Sequence, residues 1–214
     1  MELIDEIIKY YVLNSEYVFT QFIRHFLISI YGVFFASIIA IPLGCYLARR
    51  VKLAQWIISL ANIIQTVPTL AMLSIVMLFL GLGVNTVIVS VFLYSLLPII
   101  KNTYTGIRNV DENLLDAAKG MGMMKYQILW RVEIPLALSV IMAGIRNAIV
   151  IAIGITTIGT FIGAGGLGDI ISRGINVSNG SAIILSGAIP TALMAIIADF
   201  AIGIVEKRLD PSRR

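Results

Sequence analysis

The chain has a single cysteine, Cys45, and a single histidine, His25, among 214 residues. One cysteine excludes an internal disulfide. With no His, Cys and carboxylate cluster at ligand spacing, nothing points to a metal site. No nucleophile–base constellation and no G-x-x-x-x-G-K-[ST] phosphate loop occurs, so neither covalent catalysis nor nucleotide hydrolysis is expected of this chain. Charge is also scarce. Only 13% of residues are Asp, Glu, Lys or Arg, about half the share in an ordinary soluble domain. The first residues carry Glu2, Asp5, Glu6 and Glu16 without a basic leader, so no cleavable signal is expected. Runs of alternating polarity are missing too, which excludes a membrane β-barrel.

What is abundant is apolar sequence, at 58% of residues with a mean hydropathy of +0.94. A spanning helix needs about 20 such residues. Five stretches qualify: 26–48, 56–80 with Pro68 inside, 84–100, 147–163 entered from Leu136, and 182–205 with Asp199 inside. The expectation is an all-α integral membrane protein with five transmembrane helices. Residues 1–25 form an extracellular N-terminal segment, 26–205 the transmembrane domain, 111–135 a polar insertion between spans three and four, and 206–214 a tail. Twelve Lys and Arg residues fall in the loops after spans one and three and in the tail, against three (Lys9, Arg24 and Arg173) on the other side. That imbalance puts the N-terminus outside and the C-terminus in the cytoplasm of a cell membrane. A net charge of +4 in such a chain reports orientation, not nucleic-acid binding.

The polar insertion contains "DAAKGMGMMKYQILWRVEIP", residues 116–135. Asp111 can cap a helix and Glu112 adds negative charge to its first turn. Leu114, Ala118 and Met121 fall on one face. Gly120 and Gly122 stop the helix, and a second short stretch over 123–131 follows, with Trp130 suited to a membrane interface. Pro135 opens the next membrane segment, where its missing N–H matters least. A short helix with an apolar face, set outside the membrane, needs a partner.

These residues resemble the cytoplasmic motif of binding-protein-dependent ABC importer permeases: Glu-Ala-Ala, three residues, Gly, nine residues, Ile-x-Leu-Pro. Here Asp116-Ala117-Ala118, Gly122 and Val132-Glu133-Ile134-Pro135 stand in the same register, with Asp for Glu, Val for Ile and Ile for Leu. The resemblance implies a methionine-permease-like fold and a coupling helix built from Asp116, Ala117, Ala118, Gly120, Met121, Gly122 and Pro135. It also implies partners: two ATPase subunits that hold ATP and Mg, a second permease subunit (homologous or identical) and a separate extracellular solute-binding protein. "NIIQTVPTLAML", "YSLLPIIKNTYTGI", "AGIRNA" and "IGTFIGAGGLGDIISRGI" are similar to the osmoprotectant branch, which imports glycine betaine, carnitine and choline. Methionine permeases share some of these features. A secondary transporter would instead show internal repeats and a midplane ion site, and an intramembrane enzyme would show a catalytic constellation.

Gly163-Ala164-Gly165-Gly166-Leu167-Gly168 matches G-x-G-x-x-G, a dinucleotide fingerprint only between a strand and a helix. After a membrane span it is expected to make a tight break and close packing. Thr66, Pro68, Thr69, Pro98, Thr156, Thr157 and Thr160 interrupt apolar spans and are candidates for a translocation path; for each alone, a kink or a bond to its own helix is the simpler role. Asp199 can pair with Arg146, pair with Lys101 or reach water. His25, beside Arg24, reads as a boundary residue. The tyrosines at 10, 11 and 17 lie in the N-terminal segment, so no aromatic cage for a quaternary ammonium assembles. Strong recognition is therefore expected in the separate binding protein.

Overall fold

The computed structural model describes residues 2–209. Its elements are α1 (Glu2–Leu13), α2 (Ser15–Leu47), α3 (Val51–Thr66), α4 (Thr69–Leu80), α5 (Val84–Arg108), α6 (Glu112–Gly120), α7 (Lys125–Ile128), α8 (Ile134–Ile158), α9 (Leu167–Ile175) and α10 (Ser181–Leu209). A π turn, Leu129–Glu133, joins α7 to α8, and a 3-10 turn, Gly159–Ile162, ends α8. Among the described residues, four helical runs are long and apolar enough to cross a membrane; α3 and α4 reach that length only together, bent by 99° at the break between them, the geometry of a broken span or a re-entrant loop.

The spans exist where hydropathy placed them, with different extents. Span one is a 33-residue helix that begins at Ser15, so residues 15–25 belong to α2. The run 56–80 is two helices meeting at Val67 and Pro68, because the residue before proline is driven extended: Val67 has φ −65° and ψ 128°. Span three continues to Arg108, which moves Lys101 from a loop into the helix. The last helix continues to Leu209, so residues 206–209 extend it, while 210–214 lie outside the described residues.

The centre is α5, packed against α2, α3, α4 and α8. Small residues let the helices meet. On α2, Gly32, Ala36, Ala40 and Gly44 recur every four residues and are all buried. A Cβ added at Gly32 would lie 2.3 Å from Val91, and one at Gly44 would lie 2.6 Å from the Thr103 Cβ. Between apolar helices in lipid, such close backbone approach is the main source of attraction.

Toward the N-terminus of α2 a second run at four-residue steps, Gln21, His25 and Ser29, ends three residues before Gly32. Gln21 Oε1 accepts from the Gly166 N–H at 2.7 Å, and His25 Nδ1 accepts from the Leu167 N–H at 3.2 Å. Nε2 of the same ring then carries the proton and donates to the Ile153 carbonyl at 3.1 Å. Ser29 and Thr156 share a hydrogen bond of 2.9 Å. His25 is 0% exposed. It is a buried strut, not a boundary residue. The glycine-rich stretch is the hairpin it supports: Gly163, Gly165 and Gly166 have positive φ, and a Cβ at Gly168 would sit 2.1 Å from the Thr157 carbonyl oxygen.

Three prolines lie inside helices, Pro42, Pro98 and Pro190, and each leaves a carbonyl without its helical donor. The one freed by Pro98, on Tyr94, accepts from Gln65 Nε2 at 2.9 Å. The one freed by Pro190, on Ser186, accepts from the Tyr11 hydroxyl at 3.0 Å, which attaches α1 to α10. Burial raises the Tyr11 phenol above its ordinary range, so it stays protonated and donating.

The α2–α5 seam gives a stability prediction. Gly44→Val should destabilise the protein by about 1–3 kcal/mol through overpacking, read as a lower unfolding midpoint in detergent. Gly154→Ala, where an added Cβ meets nothing within 4 Å, should leave that midpoint unchanged or raise it.

Candidate functional site

The insertion folds as two short helices outside the main bundle. Asp111 Oδ1 accepts from the Asn113 N–H at 2.9 Å and caps α6. The C-terminal end is a Schellman turn: Met123 N–H donates to Ala118 O at 3.1 Å and Gly122 N–H to Lys119 O at 2.9 Å. That turn needs φ near +75° at Gly122, so Gly122 is the stop and Gly120 is the last helical residue. Asp116 pairs with Lys119 at 2.8 Å within the exposed face.

The face drawn from Leu114, Ala118 and Met121 does not bury as a unit. Ala118 turns inward at 2% exposure, whereas Met121 is 75% exposed and Leu114 is exposed as well. Met124, Tyr126 and Trp130 extend that exposed apolar rim. The short helix has room for one buried row, and the rest of its apolar surface stays open.

Pro135 does not begin a separate helix. The chain runs helically from Lys125 through the π turn into α8, where the Ile134 N–H reaches back to Leu129 O. That wider turn accommodates the proline. Within it Glu133 is 1% exposed and forms an ion pair with Arg49 at the end of α2. Arg49 and Glu133 line a cleft of about 560 Å³, with Leu115, Lys119, Lys125 and Tyr126 among its walls, between the two short helices and the bundle. Sequence reasoning placed Arg49 only in a loop and Glu133 only as a free motif position. A lone carboxylate beside a motif proline was the available signal.

A second, polar cleft of about 690 Å³ opens among the long helices, with Gln65, Pro98, Lys101, Asn102, Asn147 and Asp199 in its wall. Of the path candidates only Pro98 lies there. Thr66 is exposed and donates to its own helix at Ile63 O. Pro68 and Thr69 sit at the α3–α4 break. Thr156 is fully buried against Ser29, and Thr157 donates to Ile153 O at 3.0 Å. Thr160 is in the 3-10 turn. The threonines therefore do not converge. The amides at 65, 102 and 147 do, and the loop-like setting assumed for Lys101 had concealed them.

Arg146 and Asp199 meet edge to edge: Nε and Nη2 each donate to one carboxylate oxygen at 2.6 Å. Glu206 is a looser third member, 3.4 Å from Nη1. Two-pronged contact fixes the guanidinium in orientation as well as charge. Asp199 lies ten residues before the end of α10, about 15 Å along the axis.

Residues 40–211 match the family described as binding-protein-dependent transport system inner membrane component. The chain is 65% identical to the carnitine transport permease protein OpuCD of Listeria monocytogenes, over 99% of this chain and 95% of that one. It is 60% identical to the glycine betaine/carnitine/choline transport system permease protein OpuCD of Bacillus subtilis, over 100% and 93%. Among solved structures, an inward-facing MetNI methionine ABC transporter superposes with a TM-score of 0.78 at 19% identity, over 90% of this chain and 96% of that one.

Breaking the Arg146–Asp199 contact should be costly and exchanging it less so. Arg146→Asp and Asp199→Arg should each lower the unfolding midpoint in detergent, and the double exchange should recover part of the loss. A double variant no better than the worse single would disprove a direct pair.

Proposed function

The chain belongs to the family of binding-protein-dependent transport system inner membrane components, as a permease subunit of an osmoprotectant ABC importer, and from that premise we propose how it works. It passes compatible solutes of the glycine betaine, carnitine and choline kind through the membrane, driven by ATP hydrolysis in two separate ATPase subunits. A second permease, identical or homologous, completes the path, and a separate binding protein delivers the solute. ATP and Mg belong to the ATPases. The relatives' printed names support the solute class; the likeness to the methionine transporter concerns the fold.

The observation that carries the coupling role is the open apolar rim of α6 and α7, from Leu114 to Trp130, on a helix stopped by Gly122. An ATPase cleft receives this rim. Asp116, Ala117, Ala118, Gly120 and Met121 form the docking helix, and Pro135 sets the turn behind it. When ATP draws the ATPases together, displacement of α6 reaches α8 along the π turn and α2 through Glu133 and Arg49. Both helices border α5, so the motion arrives at the central packing seam. The orientation we propose places α6 in the cytoplasm and Asn14 outside, in keeping with the excess of Lys and Arg near α6.

Reconstitution tests this reading. The full complex in liposomes should import labelled carnitine or glycine betaine with ATP inside, and this subunit alone should hydrolyse no ATP. Gly122→Leu forces a branched side chain into a positive-φ position, which costs about 1–2 kcal/mol and misplaces the docking helix. Uptake should then fall about tenfold or more while solute binding to the separate protein is unchanged; wild-type uptake by that variant would remove the docking role.

Topology is a separate test. Single cysteines in place of Arg50 and Lys119 should react with an impermeant reagent only in inside-out vesicles, and those in place of Asn14 and Ser178 only in intact cells. Labelling of position 119 in intact cells would reverse the orientation.

A further inference from the structure

The wall of the polar cleft carries unlike charges on opposite helices. Lys101 projects from α5, between the buried Ile100 and Thr103. Among the described residues no carboxylate oxygen comes within 4.0 Å of its ammonium. It lies seven residues before the end of α5, about 10 Å from that end by helical rise, and directly follows the uncharged run 84–100. An ionisable group at such a place is retained beside water or a ligand of opposite sign.

The α10 side of the cleft is the reverse. Asp199 and Glu206 share the single guanidinium of Arg146, which leaves that group with one surplus negative charge; of the three, Asp199 lines the cleft. The two-pronged contact with Asp199 keeps it aligned. Between the two sides lie uncharged amides. Asn102 donates one amide N–H to the Pro98 carbonyl at 2.8 Å, and Gln65 donates one of its own to Tyr94 O. Each keeps a second N–H as a donor and a side-chain oxygen as an acceptor, so either residue can bond to either end of a zwitterion. No aromatic ring lines this cleft, so a quaternary ammonium would be held by charge alone and released readily, as a passage requires.

Resting on the transport reading above, we propose that this cleft is a solute site built for zwitterions, in which Lys101 takes the carboxylate and Asp199 faces the quaternary ammonium. Lys101 then determines specificity. Carnitine and glycine betaine carry the carboxylate it needs. Choline has a hydroxyl instead and gains nothing from the ammonium.

The test uses the complete complex in liposomes, with the affinities of the binding protein for each solute measured separately. Uptake of carnitine, glycine betaine and choline is compared for wild type, Lys101→Met and Lys101→Arg. Lys101→Met keeps length and loses charge. It should lower uptake of the two zwitterions about tenfold or more, the worth of a charge-assisted contact, and lower choline uptake clearly less. Lys101→Arg should restore the zwitterions. Equal losses for all three solutes, or no loss in Lys101→Met, would overturn the inference and leave the transport reading standing. A wild-type complex that imports none of the three would overturn both.

Discussion

Inside a hydrocarbon layer a backbone carbonyl without a donor has no water to turn to, and that constraint organises this molecule. Prolines create such carbonyls. The one freed by Pro98 is met by Gln65, from α3, and the one freed by Pro190 by Tyr11, from α1. The Val67 carbonyl, exposed where α3 breaks from α4, is met by the Tyr94 hydroxyl. Each repair comes from a different helix. A local defect is thereby turned into a tie between elements, and the 99° break, the docking of α1 and the wall of the polar cleft all follow from where those donors stand. Gln65 and Pro98 serve twice, since both also line the cleft.

The same economy explains α2. One face carries three polar side chains at four-residue steps, then four small residues at the same step. The polar half holds backbone groups of the glycine hairpin and of α8, and the small half admits α5. Neither half is strongly amphipathic in the usual sense. In lipid, a helix is sorted by the size and bonding capacity of its faces more than by their polarity.

That is why some of this structure was legible in the sequence and some was not. Hydropathy reports the existence of spans, and it found them. The Asp111 cap and the Gly122 stop were legible because caps are local. The glycine run 163–168 was legible as a packing device once its surroundings were apolar. Extents were not: hydropathy falls at Arg24 and Lys101, yet both lie within helices, since helix ends depend on backbone bonding. Partners were not legible either. Nothing local ties His25 to Leu167, or Glu133 to Arg49, across more than eighty residues of chain. The polar amides of the cleft were passed over for threonines, of which Thr66 and Thr157 bond their own helices and Thr156 bonds Ser29. The step of four from Gly32 to Gly44 was the strongest unread signal.

The π turn between α7 and α8 has a mechanical meaning. It holds one residue more than an α-helical path would need. One residue corresponds to about 100° of rotation about the helix axis at 3.6 residues per turn. Moving that surplus residue by one position along the chain would turn the side chains beyond it about the axis by that angle. Arg146 and Asn147, adjacent on α8, point respectively at α10 and into the cleft. A twist of that size is what exchanges one neighbour's bearing for the other's.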